Sequence, residues 1–131
     1  MSFKKCHILC IDDNEDTRFM LTCLLQPHGH EVRTASSIEE ALQLNSNGHF
    51  DLYILDNRLP DGSGIDFCQQ LRALAPETPI IIYSGCAYEI DRRRGLRAGA
   101  TAYVAKPEID GLTDTVNGLL MDKQCIAAGT M

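Results

Sequence analysis

The chain has 131 residues, a length that suits one compact domain. Hydrophobic residues make up 44% of it and charged residues 23%, so it can bury a core and is not composed like a disordered protein. A formal net charge of −6 argues against nucleic-acid binding over the whole domain. No apolar run reaches the roughly 18 residues of a membrane span. The first residues do not resemble a secretory signal, so we expect a cytoplasmic protein without a membrane partner.

The cysteines and histidines do not form a recognisable ligand pattern. The six cysteines show no C-x-x-C pair and no regular spacing, so we expect reduced thiols rather than disulfides or a zinc site. His28-Gly29-His30 is typical of a surface turn, since no cysteine or second acidic ligand lies nearby.

Five strand-like segments alternate with five helical patterns. The predicted strands cover residues 6–11, 31–35, 50–55, 79–83 and 101–105. In the first helix the apolar side is expected to carry Phe19, Met20, Cys23 and Leu24, and the fourth helix is expected over residues 87–98. Strict alternation predicts an α/β fold with a five-stranded, parallel, doubly wound sheet and helices on both faces.

Polar residues stand just beyond the apolar stretch of four strands: Asp12 and Asp13, Asp56, Ser84, and Lys106. All strand-to-helix loops of a parallel sheet leave its carboxyl edge, so these groups converge if the strand order is the flavodoxin-like 2-1-3-4-5. Periodicity alone does not establish that order. Three close carboxylates repel one another. Lys106 would neutralise one of the three negative charges, and a divalent cation such as Mg²⁺ would balance the other two. Such a set suits phosphoryl transfer, with Asp56 as the nucleophile.

Five stretches carry a resemblance to a known family. They are Ile-Leu-Cys-Ile-Asp-Asp at 8–13, Asp-Leu-Tyr-Ile-Leu-Asp at 51–56, Leu-Pro-Asp-Gly-Ser-Gly at 59–64, Ile-Ile-Ile-Tyr-Ser-Gly at 80–85 and Gly-Ala-Thr-Ala-Tyr-Val-Ala-Lys-Pro at 99–107. In this order and spacing they resemble the receiver domains of two-component response regulators. The resemblance covers residues 4–124, and residues 125–131 are expected to form a frayed tail.

The resemblance implies roles for the acidic residues. Asp56 would accept a phosphoryl group from a phosphohistidine. Asp13, Asp56 and the backbone carbonyl of Arg58 would bind Mg²⁺ or Mn²⁺, and Asp12 would contribute through a water molecule. The protein would then be a regulator rather than an enzyme, catalysing only its own phosphorylation and dephosphorylation.

The resemblance also implies a switch. Lys106 would neutralise the phosphoryl oxygens, Ser84 would bond to the new phosphate, and Tyr103 would turn inward as Ser84 moves. The Lys106-Pro107 peptide bond would be cis. The shape change would be read on the face formed by the fourth helix, the fifth strand and the fifth helix.

The implied partners are a sensor histidine kinase or a histidine phosphotransfer protein, and a downstream protein of unknown identity. A phosphorylation-dependent dimer is a further expectation. Four arginines of the fourth helix fit either a solvated basic face or a contact with an acidic partner or second copy: Arg92, Arg93, Arg94 and Arg97. The chain ends soon after the fifth helix, which fits either a single-domain regulator or a receiver taken from a larger protein.

Three residues depart from the expected pattern. Arg58, two positions after the acceptor, is bulkier and more positive than usual, and we hypothesise that it alters the lifetime of the phosphoryl group. Gly111 and Gly118 lower helix propensity by about 1 kcal/mol each against alanine, so the last helix is expected to be the least stable element.

Other classes remain open from the residues alone. A haloacid-dehalogenase-like phosphatase needs an Asp-x-Asp pair after the first strand, whereas this chain has Asp12-Asp13-Asn14 and no room for a cap domain. A flavin-binding flavodoxin-like protein needs a phosphate-cradling loop there, which is missing. A receiver-like module used only for protein contact would be expected to lack a key residue, and none is missing.

Overall fold

The computed structural model describes residues 5–129, with side chains described for residues 5–121. Five parallel strands form one sheet in the order β2-β1-β3-β4-β5. They are β1 (His7–Ile11), β2 (Glu31–Ala35), β3 (Leu52–Leu55), β4 (Ile80–Ser84) and β5 (Ala102–Ala105). The predicted doubly wound sheet and its strand order are confirmed.

Five helices connect and flank the strands. They are α1 (Glu15–Leu25), α2 (Ile38–Ser46), α3 (Gly64–Leu74), α4 (Glu89–Arg97) and α5 (Ile109–Gly129). Side-chain caps begin the first three helices. The Asn14 side chain accepts a hydrogen bond from Thr17 N in α1, and the Ser37 and Ser63 hydroxyls accept hydrogen bonds from backbone N–H groups of α2 and α3. These caps fix where each helix leaves its loop.

A short antiparallel ribbon follows β3 and was not predicted. Its two strands, Arg58–Leu59 and Gly62–Ser63, are two residues long each, with Pro60 and Asp61 at the turn between them. Gly64 closes its base, where a Cβ atom would lie 1.9 Å from the carbonyl oxygen of Asp56. Only glycine fits this approach of two backbone segments.

The core has two layers, one on each face of the sheet. One face packs against α2, α3 and α4 through residues such as Phe67 and Leu71, and the other packs against α1 and α5 through Leu25 and Val116. All residues of β3 and β4 are buried. Continuous apolar strands are therefore a consequence of the helices that cover both faces.

The predicted face of α1 was right for Met20 and Leu24, which are half-buried against the core, and wrong for the other two residues. Phe19 is 71% exposed and Cys23 is exposed as well, whereas Leu21 and Leu25 are buried against the sheet. Adjacent stripes of this helix are both apolar, so helical spacing alone cannot tell which one faces the core. The rotation of α1 about its own axis is set by the packing of Leu21 and Leu25 against the sheet.

The element ends differ from the predicted ones by one or two residues, and most at the carboxyl terminus. Helix α4 covers Glu89–Arg97 rather than residues 87–98, because Ala98 is its C-cap residue and Gly99 follows with φ of 115°. Helix α5 continues to Gly129, so residues 125–129 of the expected frayed tail are helical. Residues 130 and 131 lie outside the described residues.

Arg72 joins three segments that the sequence did not link. Its Nε and Nη2 donate to the carbonyl oxygen of Gly99 at 3.0 and 2.7 Å, and its Nη1 donates to Thr78 O at 2.7 Å. The same Nη1 lies 3.1 Å from the carbonyl oxygens of Ala75 and Pro76. One guanidinium thus satisfies backbone acceptors after α3, before β4 and after α4.

The described thiols differ in exposure. Cys10 and Cys68 are buried free thiols, and burial raises the pKa of Cys10 to about 12 and of Cys68 to about 11. Cys23 is an exposed free thiol, and the side chain of Cys125 lies outside the described residues. His28 ends a short 3-10 helix, Gln26–His28, and the chain turns at Gly29, which lies in the left-handed region at φ of 88°. Within residues 5–129, the structure contains no helix that could cross a membrane.

Candidate functional site

The carboxyl edge of the sheet brings the three predicted aspartates together. Strands β1 and β3 are parallel neighbours with Ile11 opposite Leu55, so the residues that follow them, Asp12 and Asp56, emerge side by side. One carboxylate oxygen from each of Asp12, Asp13 and Asp56 lies within 4.8 Å of the others. Oxygen ligands at this spacing fit a hard divalent cation.

The three carboxylates differ in burial and in bonding. Asp12 is 2% exposed and Asp56 is 8% exposed, whereas Asp13 is exposed. Asp12 Oδ1 accepts from Asn14 N at 2.9 Å, and Asp56 Oδ1 accepts from Asn57 N at 2.8 Å. The backbone therefore orients the two buried carboxylates, and the exposed one faces solvent beside them.

Lys106 supplies the positive charge of the site. Its Nζ donates to Asp12 Oδ2 at 2.8 Å and to Asp56 Oδ2 at 3.4 Å. Strand β5 delivers it there, since Lys106 N donates to Ser84 O at 2.9 Å at the end of the β4–β5 pair. Three carboxylates and one ammonium leave a formal excess of two negative charges, which a divalent cation would neutralise.

Burial and neighbouring charges shift the pKa values of both Asp56 and Lys106. Burial raises the pKa of Asp56, the charge of Asp12 raises it further, and the Lys106 ammonium opposes both. Burial alone would lower the pKa of Lys106, but the hydrogen bond to Asp12 and the charge of Asp56 raise it. The lysine therefore stays charged, and Asp56 is a more basic carboxylate than one in water.

Ser84 and Tyr103 meet at the backbone of Cys86. Ser84 is 1% exposed, and its Oγ accepts from Cys86 N at 3.1 Å. Tyr103 is buried, with its hydroxyl donating to the carbonyl oxygen of Cys86. Burial raises the pKa of the Tyr103 hydroxyl, and hydrogen bonding with Ser84 opposes that rise. The structure thus places the Tyr103 side chain inward from β5, against the loop that follows Ser84.

Two residues of α4 hold the Tyr103 ring, and sequence reasoning missed both contacts. The guanidinium carbon of Arg92 lies 5.7 Å from the ring centroid, and Arg92 Nη1 donates to Tyr103 O at 3.0 Å. At Gly95 a Cβ atom would lie 2.8 Å from Tyr103 Cδ2. A glycine inside a helical pattern was the only available signal, since it often marks a close packing contact.

The site opens into a cavity of about 360 Å³, whose lining includes Asp56, Ser84, Lys106 and Arg58. Arg58 is exposed, and its backbone lies on the ribbon opposite Ser63. The predicted cis bond between Lys106 and Pro107 is present. A larger cavity of about 660 Å³ lies at the opposite, amino edge, beside His49 and Phe50.

The chain is similar to known proteins over most of its length. The model of the response regulator receiver domain family matches residues 8–117. The alkaline phosphatase synthesis transcriptional regulatory protein PhoP of Bacillus subtilis is 39% identical over 100 residues, which are 76% of this chain and 42% of that protein. The two-component response regulator PhoP of Pseudomonas aeruginosa is 36% identical over 114 residues, 86% of this chain and 51% of that protein. The chain therefore spans about half the length, or less, of these relatives.

Solved structures agree with this match. A two-component response regulator from Clostridium difficile superposes with a TM-score of 0.85 at 26% identity, covering 89% of this chain and 97% of that one. A CheY-like response regulator receiver domain protein from Methanospirillum hungatei gives a TM-score of 0.83 at 30% identity, covering 92% and 97%. The chain belongs to the receiver-domain family of two-component response regulators.

Proposed function

We propose that this receiver domain is switched by transfer of a phosphoryl group from a phosphohistidine to Asp56. The donor would be a sensor histidine kinase or a histidine phosphotransfer protein in the cytoplasm. The observation that supports this most strongly is the meeting of Asp12, Asp13 and Asp56 with the ammonium of Lys106 beside an open cavity. The domain would have no substrate of its own beyond this phosphoryl group.

In the proposed reaction, a carboxylate oxygen of Asp56 attacks the phosphorus atom, the phosphorus–nitrogen bond to the donor imidazole breaks, and an aspartyl phosphate forms. Asp56 Oδ1 is engaged by Asn57 N, while Oδ2 lies 3.4 Å from Lys106 Nζ. Lys106 is held 2.8 Å from Asp12, so its charge already stands where phosphoryl oxygens would arrive.

Asp13, Asp56 and the Arg58 carbonyl would hold Mg²⁺, or Mn²⁺, with Asp12 contributing through water. A bound divalent cation would neutralise charge on the phosphoryl oxygens during transfer. The acidic donor set fits such an ion, because all three carboxylates offer hard oxygen ligands and two of them are buried.

The proposed response begins at Ser84. Its Oγ accepts from Cys86 N, and its hydroxyl hydrogen, which is shared with the Tyr103 hydroxyl, would turn towards a new phosphate oxygen. Because Tyr103 bonds to the same Cys86 backbone, a shift of Ser84 would reach the Tyr103 ring and then α4. This order of contacts links the acceptor to the face of α4, β5 and α5.

That face would bind a downstream protein or a second copy. Arg93 pairs with Glu89 at 2.8 Å, and Arg94 and Arg97 are exposed beside it. An acidic partner surface would fit these charges. Reversing the charges of Arg93 and Arg94 should weaken partner binding, and unchanged binding would remove the idea.

The test is incubation with acetyl phosphate and Mg²⁺, followed by intact mass measurement. We expect a gain of one phosphoryl group for the wild type, none for Asp56→Asn and none with a chelator present. Asp66→Asn, a change of the same kind at an exposed position of α3, should behave like the wild type. An equal gain in Asp56→Asn would overturn the proposal.

The family match does not favour the hydrolase or flavin-binding alternatives. A steady-state assay with a phosphate monoester separates a switch from a phosphatase, because a switch shows no turnover of such a substrate. An absorbance spectrum of the purified protein tests for flavin.

A further inference from the structure

One side chain ties the loop after the acceptor to a neighbouring helix. Asp61 Oδ1 accepts from Ile38 N at 2.9 Å, and Asp61 Oδ2 accepts from Glu39 N at 3.0 Å. Both N–H groups belong to the first turn of α2, more than twenty residues earlier in the chain. The Asp61 carboxylate therefore bridges two elements that are otherwise separate in sequence.

Helix α2 already has a cap of its own. Ser37 Oγ accepts from Glu40 N at 3.1 Å, and Ser37 O accepts from Ala41 N at 3.1 Å. Asp61 adds a second set of acceptors that comes from outside the helix. Its two bonds thus connect α2 to another part of the molecule rather than only ending the helix.

The part that Asp61 connects is the ribbon that leads from the acceptor. Asp61 lies at the turn of the ribbon, between the strand of Arg58 and the strand of Ser63. At the base of the ribbon, Gly64 N donates to Asn57 O at 2.6 Å, next to Asp56. The ribbon is therefore fixed at its base by the acceptor loop and at its tip by α2.

A second contact at the tip supports the same docking. Gly62 has φ of 155°, and a Cβ atom there would lie 3.0 Å from Ile38 Cδ1. The ribbon thus packs directly on the residue whose N–H Asp61 accepts. Hydrogen bonds and close packing act at one place.

We propose that Asp61 is a positioning residue for phosphoryl transfer to Asp56. By docking the ribbon on α2, it fixes where the Arg58 carbonyl and side chain stand relative to the acceptor carboxylate. Asp61 itself touches neither the phosphoryl group nor the cation. This inference rests on the proposed function of Asp56. It assigns a role in that function to a residue whose hydrogen-bond partners lie on α2, outside the acidic site.

The experiment compares Asp61→Ala with Ser37→Ala. Both variants remove acceptors from the amino end of α2, so both should lose stability, but only Asp61→Ala releases the ribbon. Mg²⁺ affinity by calorimetry and the rate of phosphorylation by acetyl phosphate are measured for each. Losses of outer partners typically weaken a metal site about 10-fold or more, so we expect that reduction for Asp61→Ala and wild-type values for Ser37→Ala.

Asp61→Asn provides a milder change, since its amide oxygen can still accept one of the two bonds, and it should fall between wild type and Asp61→Ala. It also keeps the test decisive if Asp61→Ala does not fold. Equal Mg²⁺ affinity and equal rates in the Asp61 variants and Ser37→Ala would overturn the positioning role. A wild type that is not phosphorylated at all would instead overturn the proposed function.

Discussion

Lys106 lies between two buried carboxylates, and this contact sets the electrostatics of the site. It is 2.8 Å from Asp12 and 3.4 Å from Asp56, so Asp56, the proposed acceptor, is the more loosely held partner. A carboxylate that is partly neutralised but not tightly paired keeps a lone pair available for attack. The difference between the two distances therefore suits a nucleophile at Asp56 and an anchor at Asp12.

Arg58 is the residue from which we expect an effect on phosphoryl lifetime. It lines the cavity that contains Asp56, where its bulk can restrict the approach of water. Arg58→Ala should speed dephosphorylation by a factor of a few, and Arg58→Met should restore a slow rate if bulk rather than charge is responsible. The measurement is loss of the phosphoryl group with time by intact mass. An identical rate in wild type and Arg58→Ala would contradict this role.

The hydrogen bonds of the Asp61 carboxylate should make the stability of the protein depend on pH. The hydrogen bonds from Ile38 N and Glu39 N hold the pKa of the Asp61 carboxyl below its usual value. Because the folded pKa is depressed, the stabilisation is present above the unfolded value of about 3.9 and is lost as pH falls through the folded pKa. The difference in unfolding free energy between wild type and Asp61→Asn should shrink below about pH 4. Urea unfolding at several pH values measures it, and a difference that stays constant with pH would exclude the effect.

Four of the site residues that sequence reasoning named stand at the end of an apolar strand or directly after it. Asp12, Asp56, Ser84 and Lys106 could be predicted because parallel strands deliver their ends to one edge. Asp61 and Arg92 could not be assigned their contacts, because their partners lie on other elements and depend on rotations that periodicity does not specify. The sequence shows the types of these two residues but not the groups that they contact.

Helix α4 is in direct contact with the Tyr103 ring. Gly95 allows this approach, since any side chain at that position would meet Tyr103 and Ile82. The rest of the contact comes from Arg92, which covers the ring and bonds to the Tyr103 carbonyl oxygen. Helix α4 therefore packs on β5 through the aromatic residue that is proposed to respond to phosphorylation.

Gly95→Ala should lower the free energy of unfolding by about 1–2 kcal/mol, or displace the Tyr103 ring, because the new methyl group overpacks the contact. Gly118→Ala is the matched control in α5, since no atom lies within 4 Å of its Cβ position. It should raise stability by about 0.5–1 kcal/mol through helix propensity. Chemical unfolding measures both, and Tyr103 resonances report the ring. Equal stabilisation by both changes would show that the ring does not depend on Gly95.

Arg72 should be the residue that holds the α3–β4 and α4–β5 connections together. Arg72→Ala removes charged donors from half-buried carbonyl groups, and we expect a loss of about 2–3 kcal/mol. Arg72→Lys should not restore the loss, because one ammonium cannot reach acceptors on separate segments in the way a guanidinium does. Arg97→Ala, at an exposed position of α4, should change stability by less than about 0.5 kcal/mol. Unfolding midpoints in urea test this, and full rescue by lysine would contradict it.

At the level of elements, the sequence predicted type and order better than packing. Apolar strands and capped helices alternate because a parallel sheet must be covered on both faces, and this pattern is local. The buried side of α1 was predicted only in part, since two adjacent stripes of the helix are apolar and Leu21 and Leu25 are its fully buried residues. The ribbon after β3 was missed because two-residue strands have no period. The expectation that α5 is the least stable helix stays a prediction, which amide hydrogen exchange can test.

Across the whole molecule, the proposed acceptor and the proposed output face are joined by a short path. Ser84 ends β4, Lys106 N donates to Ser84 O, and Tyr103 on β5 contacts the loop after Ser84. The ring then rests on α4. Couplings through such contacts are typically about 1–3 kcal/mol, so phosphorylation should shift a population of conformers rather than create a new fold.

The central claim is that Asp56 is the phosphorylated residue, and its direct test is to locate the modification. An aspartyl phosphate is an acyl phosphate, which borohydride reduces to homoserine at the modified position. After treatment with acetyl phosphate and Mg²⁺, peptide mass spectrometry should find homoserine at position 56 and aspartate at positions 12 and 13. Homoserine at another aspartate, with Asp56 unchanged, would contradict the account.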